Sequence, residues 1–205
     1  MQRILLIILI VTSFFGSAFS QDSLKINKTG LFTGLNFGTW FPDNKNKVLG
    51  NPPIIGFTLD FKGIKNSFGL NFDLIGWPQG KTTEPVTIKF GDSLLIRNEY
   101  FGAQITIDYC RQFLETKRFV FEGMCGIGYG ELTYYNPDQY THIDKKSLIL
   151  SPGISIRYAL SKKLFLQLKT QYCMANYKLK DSVSSNFEGN YLITKLIISG
   201  LSNNR

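Results

Sequence analysis

Residues 101–109 read FGAQITIDY, and this stretch decides the fold. Apolar side chains occupy the odd positions from Phe101 to Tyr109, whereas the even positions between them carry Gly, Gln, Thr and Asp. An alternation with a period of two residues is typical of a β-strand that has one apolar face and one polar face. The stretch therefore predicts a strand that lies between two chemically different environments.

The same alternation recurs along the chain and predicts eight strands in total. They lie at about residues 31–41, 55–62, 68–74, 101–109, 118–129, 147–158, 164–174 and 190–201. Short connections at 63–66, 111–116 and 160–163 alternate with longer ones at 42–50, 78–94, 131–146 and 176–189. This arrangement predicts an all-β fold: an eight-stranded antiparallel up-and-down transmembrane barrel with short periplasmic turns and long outer loops.

The first twenty residues have the layout of a secretory signal peptide. Arg3 supplies a positive charge, an apolar run follows from Ile4 to Val11, and Ala18-Phe19-Ser20 places small residues where a signal peptidase reads them. The apolar run is short for a transmembrane helix, which needs about 20 residues. We therefore expect residues 1–20 to be removed and residues 21–205 to form a single barrel domain outside the cytoplasm.

Two kinds of barrel produce this alternation, and they differ in which face points outward. A secreted lipocalin-like barrel would turn its apolar face inward, whereas a membrane barrel turns it toward lipid. The polar face here is rich in Gly and Ser, which suit a narrow lumen, and aromatic residues lie near the predicted strand ends, as in the girdles of membrane barrels. Both features favour an outer-membrane barrel of a Gram-negative bacterium. The aromatic residues are Trp40, Phe41, Trp77, Tyr177 and Tyr191 toward the loops, and Phe32, Phe61, Phe68, Tyr109, Phe119 and Tyr158 toward the turns.

Charged residues on the polar face of the strands are segregated by sign. The acidic ones fall on strands two to five and the basic ones on strands six to eight, so they line opposite walls of the predicted lumen. Because unpaired charges in a narrow lumen would be costly, we predict an ion-pair network that plugs it. The alternative is that several of them lie at the rims in water. The predicted network consists of Asp60, Asp73, Asp108, Glu122, Arg157, Lys169 and Lys195.

The composition offers little material for catalysis or metal binding. The chain has one histidine and three cysteines, which excludes a His-ligated metal cluster and makes a Cys-based zinc site or a disulfide scaffold a poor fit. His142 has Ser147 nearby in sequence, which is the only hint of a lipid-modifying enzyme; we expect His142 to be an exposed loop residue instead. The sequence thus predicts no catalytic, metal-binding or cofactor-binding residue.

The net charge of +8 would be compatible with nucleic-acid binding, but its distribution is not. The basic excess lies at the turns and termini, whereas acidic and basic residues balance in the long loops. We therefore expect outer-membrane lipid, and no nucleic acid, as a partner.

The chain resembles the PorT-type small outer-membrane barrels of the Bacteroidota-like β-barrel domain family. The resemblance rests on the predicted signal ending in Ala18-Phe19-Ser20, on the opening strand Gly30–Gly38, which reads GLFTGLNFG, and on eight strands rich in Phe, Tyr and Gly. It covers nearly all of the predicted mature chain. It implies a link to a protein secretion and gliding system of the envelope, and it assigns no functional residue.

Two function classes follow from the sequence. The favoured one is a non-enzymatic outer-membrane barrel with a plugged lumen, which anchors loops that bind an envelope or extracellular partner. Tyr134, Tyr135 and Tyr140 in the third long loop are the predicted contact residues, because tyrosine is enriched at protein interfaces. The alternative is a channel or transporter for a small or apolar solute.

Overall fold

The computed structural model describes residues 29–90, 93–136, 141–177 and 187–202. The predicted signal peptide and Tyr140 lie outside these residues. The described residues form nine strands and one 3₁₀ helix, Asn44–Leu49, which begins after the Asp43 cap. None of the helices formed by the described residues is long and apolar enough to cross a bilayer. The strands are β1 (Gly30–Pro42), β2 (Pro53–Lys62), β3 (Asn66–Phe90), β4 (Ser93–Glu115), β5 (Phe119–Asn136), β6 (Thr141–Ala159), β7 (Leu164–Tyr177), β8 (Phe187–Glu188) and β9 (Tyr191–Leu201).

Eight of these strands close into an antiparallel barrel, which confirms the predicted fold. Each strand from β1 to β7 pairs with the next one, β7 pairs with β9, and β9 pairs with β1. Ile107, in the alternating stretch 101–109, lies between Leu70 of β3 and Ile127 of β5. The two-residue β8 pairs only with the upper end of β7 and stands outside the barrel order. Closure leaves the backbone groups of the wall paired on both sides, which lipid requires.

The apolar face points outward, so the lipocalin-like orientation is excluded. Large apolar side chains on every barrel strand are exposed, while the small and polar residues of the same strands are buried inside. Exposed apolar side chains on all eight barrel strands form a continuous band, whereas soluble monomers rarely expose large contiguous apolar patches. The band, called here the apolar belt, includes Leu35, Phe37, Phe57, Phe61, Phe68, Leu70, Phe72, Ile105, Ile107, Ile127, Leu150, Ile154, Leu168, Tyr172, Leu192, Leu196 and Ile198.

Only some of the aromatic residues predicted to form two interfacial girdles lie on the outer surface. Phe41, Trp77, Phe61, Phe68 and Tyr109 are exposed on the outer surface. In contrast, the side chains of Phe32, Trp40, Tyr177 and Tyr191 are fully buried inside the barrel. These four occupy the inward phase of their strands, and the alternation outweighs the tendency of aromatic residues to lie at a lipid–water interface.

Two of the predicted long loops are β-hairpins instead. Residues 78–94 are covered almost entirely by β3 and β4, and residues 131–146 by β5 and β6. Stretches such as VTIKF at 86–90 carry β-branched and aromatic residues, which favour extended backbone over an irregular loop. We call residues 80–90 and 93–100 the β3–β4 ribbon and residues 131–136 and 141–146 the β5–β6 ribbon. Charged Glu99, Glu131 and Lys146 are among their outward residues, which indicates that both ribbons continue beyond the apolar belt.

Candidate functional site: the interior of the barrel

The middle of the barrel holds charged side chains that meet across the lumen. Lys195 on β9 donates to the Oδ2 of Asp73 on β3, with Nζ 2.7 Å away. Lys169 on β7 forms an ion pair with Asp108 on β4. Both pairs join opposite walls, and their side chains are almost completely buried. A crossing of this kind is possible because an eight-stranded barrel is narrow enough for side chains to fill.

Amide side chains add further hydrogen bonds to these carboxylates. Asp108 accepts from Asn71 Nδ2 at 2.8 Å and from Gln171 Nε2 at 3.1 Å, and Asp73 accepts from Gln104 Nε2 at 2.8 Å. Lys169 Nζ also donates to Asn71 Oδ1 at 3.1 Å. Charge-assisted bonds of this kind are stronger than neutral ones, and they offset part of the cost of burying the ions.

A second charged cluster lies nearer the turns. Arg157 on β6 forms an ion pair with Glu122 on β5, a neighbouring strand and not the opposite wall. Lys62 lies between two acids, with Nζ 3.5 Å from Asp60 Oδ2 and 3.9 Å from Glu122 Oε1. All seven residues of the predicted network are therefore inside the barrel, in two clusters. Together with Lys62 they are called the charged layer.

Lys62 is not in the predicted network, because this last residue of the predicted second strand was counted with the basic excess at the turns and termini. The signal was present: Lys62 has the same phase as Asp60 and the opposite phase to Phe61, which is exposed on the belt. Lys145 was missed in the same way, as a loop residue. It lies on the inward face of β6 between outward-facing Asp144 and Lys146, and burial lowers the pKa of its ammonium group to about 7.

Glycines on the inner wall make room for the charged layer. A Cβ on Gly126 of β5 would collide with Oδ1 of Asp108 and lie 2.5 Å from Oγ of Ser151. Asp108 cannot move aside, because Lys169, Asn71 and Gln171 hold it. The absence of a side chain at Gly126 is thus a steric requirement of the network.

We expect Gly126→Ala to destabilise the barrel in detergent by about 1–3 kcal/mol, the usual range for overpacking. The matched control is Gly123→Ala on the same strand, where a new Cβ would meet no described atom within 4 Å. The control should change stability by less than about 0.5 kcal/mol. Urea unfolding followed by tryptophan fluorescence measures both variants, and equal effects would contradict the steric argument.

The outer half of the lumen is filled by apolar and aromatic side chains, here called the apolar layer. Trp40 packs edge-to-face on Tyr191 with ring centroids 4.4 Å apart, and Tyr100 donates its hydroxyl to the carbonyl of Leu49 at 2.7 Å. The second contact ties the 3₁₀ helix over the mouth. The layer comprises Trp40, Leu49, Ile54, Ile75, Val86, Ile88, Tyr100, Leu132, Tyr134, Ile149, Cys173, Ala175, Tyr177, Tyr191 and Ile193.

The predicted tyrosine contacts have different positions. Tyr134 is part of the apolar layer with 0% exposure, so it is not a surface contact residue, because the inward phase of β5 continues into the ribbon. Tyr135, one position later, is 51% exposed on the outer surface. Tyr140 lies outside the described residues.

The residues that hinted at an enzyme do not meet. His142 is exposed, with Nε2 3.7 Å from Asp144 Oδ2, whereas Ser147 points inward. The Ser147 hydroxyl donates to the backbone carbonyl of Leu148 at 2.7 Å, and it accepts from the backbone N–H of Asn176 at 2.7 Å. Histidine and serine thus lie on opposite faces of β6. Within the described part of the chain, no group of three or more His, Cys, Asp or Glu residues is placed to hold a metal ion.

Comparisons with known proteins place this geometry among solved barrels. Neither a protein-family model nor a curated protein matches the sequence. The crystal structure of Neisserial surface protein A is similar with a TM-score of 0.62 at 9% identity, covering 85% of this chain and 98% of that chain. The N-terminal barrel domain of Pseudomonas aeruginosa OprF is similar with a TM-score of 0.50 at 12% identity, covering 84% and 97%. The chain thus has the closed eight-stranded antiparallel fold found in small outer-membrane barrels.

Proposed function

We propose that this protein is a non-enzymatic outer-membrane barrel whose lumen is closed and whose outer ribbons bind a partner in the envelope or outside the cell. The observation that carries the proposal is the filled interior, in which the charged layer and the apolar layer follow one another along the barrel axis. A barrel that conducts solute would need an open path through both layers.

The outward apolar belt supports the location in a membrane. Its side chains would be costly in water and are matched to acyl chains, while the charged residues of the same strands are buried inside. Because transmembrane barrels of this kind occur in outer membranes, the outer membrane of a Gram-negative bacterium is the proposed site, with its lipid as the first partner. The resemblance to PorT-type barrels stays a prediction.

The two layers support an anchoring role over transport. Two ion pairs of the charged layer, Lys169–Asp108 and Lys195–Asp73, cross the lumen, and the apolar layer is capped by the contact from Tyr100 to the 3₁₀ helix. Neither layer leaves groups arranged as a ring around a water-filled opening, which is how charged residues line a selective pore. At the loop end of the barrel, the ribbons beyond the belt offer accessible surface among the described residues.

We expect the full chain, reconstituted in a planar bilayer, to carry no steady current. The reason is that ions would have to pass the apolar layer, which contains 15 buried residues. A general porin in the same bilayer serves as the positive control, and the folded band on an unheated gel shows that the barrel has formed. A steady open-pore current from the folded protein would support the channel alternative and overturn the proposal.

A further inference from the structure

The short turns at one end of the barrel carry a strong excess of positive charge. With the strand ends beside them they comprise residues 63–66, 111–118 and 160–163, which contain six basic residues and one acidic residue. The longer connections at the opposite end contain eight basic and eight acidic residues, so their charges balance. The excess therefore belongs to one end of the barrel, and we call these three segments together the basic rim.

Four basic side chains of the rim are exposed and carry charge that no neighbouring acid neutralises. Within the described part of the chain, none of the four forms an ion pair or a side-chain hydrogen bond. The single acidic residue of the rim, Glu115, accepts from Gln112 Nε2 at 2.6 Å. The rim thus offers cations to a ligand from outside the chain. The four are Lys65, Arg111, Lys117 and Lys162.

Backbone hydrogen bonds hold the turns close to the end of the barrel wall. The carbonyl of Lys65 accepts from the N–H of Gln112 at 2.8 Å, which ties the first turn to β4. The N–H of Thr116 donates to the carbonyl of Phe119 at 2.8 Å, and a bond of the same kind, 3.0 Å long, closes residues 160–164. The cations therefore stay within about one side-chain length of the wall and do not extend far beyond it.

Exposed apolar side chains lie next to these cations. Ile64, beside Lys65, is 74% exposed, and Phe113, two residues after Arg111, is 67% exposed. Leu160 is exposed at the start of the third turn. Basic residues beside large apolar ones are typical of the boundary between headgroups and acyl chains, where the apolar part is buried and the charge reaches the headgroups.

We propose that the basic rim binds anionic phospholipid headgroups in the leaflet that faces the periplasm. Its net charge of +5 complements the negative potential of such a leaflet. The cations are distributed over all three turns, which suits lipid that surrounds the barrel, whereas a soluble acidic partner would contact one side of the rim. The inference rests on the proposed function, because only insertion into a bilayer places the rim in a headgroup layer.

The test measures lipid selection by electron spin resonance. The full chain is reconstituted in phosphatidylcholine vesicles with a trace of spin-labelled phosphatidylglycerol or spin-labelled phosphatidylcholine. The fraction of label immobilised at the protein surface gives the relative association of the two lipids. We expect phosphatidylglycerol to associate at least about twofold more strongly at low salt. The preference should vanish in about 1 M NaCl, where the Debye length is only about 3 Å.

A triple variant tests whether the rim is responsible. Lys65→Gln, Lys117→Gln and Lys162→Gln together remove one exposed cation from each turn. We expect this variant to lose at least about half of the preference for phosphatidylglycerol, because each basic residue near the surface adds to the attraction.

The matched control removes the same charge from the opposite end of the barrel. It combines Lys47→Gln, Lys81→Gln and Lys146→Gln, all of them at exposed lysines. Acidic residues balance the lysines at that end, as in the pair of Lys146 with Glu131, whose atoms are 3.9 Å apart. The control should therefore keep the preference of the original chain.

The remaining outcomes overturn the proposal in distinguishable ways. A folded, inserted barrel that shows no preference for phosphatidylglycerol would leave an acidic soluble partner as the better match for the rim. Equal losses in the two triple variants would mean that overall charge selects the lipid. If the rim variant does not fold, as seen by a heat-dependent gel shift, a preference in the original chain that persists in salt refutes the ionic contact. A chain that does not float with phosphatidylcholine vesicles in a density gradient would contradict the proposed function, and with it the role of the rim.

Discussion

Lys169→Met is expected to destabilise the barrel by about 3–5 kcal/mol, the usual cost of removing one partner of a buried ion pair. Methionine retains the length of the lysine stem, so the main loss is the ammonium group that neutralises Asp108. The carboxylate would remain buried with only the amide donors Asn71 and Gln171. Equilibrium unfolding by urea in detergent, followed by the fluorescence of Trp40 in the apolar layer, measures the change.

Two further variants show whether the charge itself is responsible. The double variant Asp108→Leu with Lys169→Met removes both charges, and we expect it to be clearly more stable than Lys169→Met alone. Glu131→Gln removes one partner of the more exposed Glu131–Lys146 pair, whose atoms are 3.9 Å apart, and should cost at most about 1 kcal/mol. A Lys169→Met variant as stable as Glu131→Gln would show that the interior pair is solvated and does not hold the walls together.

Ile105→Arg is expected to destabilise the barrel in lipid vesicles by about 2–4 kcal/mol, the range for a basic residue at the bilayer midplane. Ile105 lies midway between the outward aromatic residues Phe101 and Tyr109 on β4, and its side chain points away from the lumen. The fraction of protein that folds into vesicles, measured by the gel shift across a urea series, gives the change.

Ile64→Arg is the control for this second experiment. Ile64 is as apolar and more exposed, but it lies in the turn between β2 and β3, beyond the belt. An arginine there should change folding by no more than about 1 kcal/mol, since charges are tolerated near the interface. Equal effects of the two arginine substitutions would mean that the belt does not face acyl chains.

Most of the fold could be predicted from the alternation of apolar and polar residues with a period of two. It identified the eight barrel strands and which residues share a face, because the pleat makes side chains alternate whatever surrounds the strand. It also placed Asp73, Asp108, Lys169 and Lys195 on the inner face. Acidic residues on one side of the barrel and basic residues on the other then suggested ion pairs across the lumen. The ion pair of Arg157 with Glu122 joins neighbouring strands and was not predicted by this pattern.

The sequence could not show where each strand ends. Turn-forming residues such as Pro78 and Gly80 suggested a loop, yet β3 and β4 continue past two irregularities, between Ile75 and Gly80 and between Lys81 and Val86, and pair again as far as Phe90 and Ser93. Lys62 and Lys145 were misplaced for the same reason: a lysine next to a presumed turn reads as solvated, whereas the inward phase of a longer strand buries it. Pairing between β4 and β5 stops at Phe101 and Thr133. This end point depends on tertiary geometry, and no residue pattern near it predicts it.

The two ion pairs of the charged layer that cross the lumen join parts of the chain that are far apart in sequence. Asp73 and Lys195 are separated by 122 residues, and Asp108 and Lys169 by 61. An open, half-assembled sheet in lipid would therefore hold acids whose counter-ions have not yet arrived, at a cost of several kcal/mol for each buried ion. The last strand, β9, both seals the wall and delivers the cation for Asp73. Closure of the wall and neutralisation of Asp73 therefore depend on the same strand, so an open sheet in lipid is disfavoured by its own uncompensated charge.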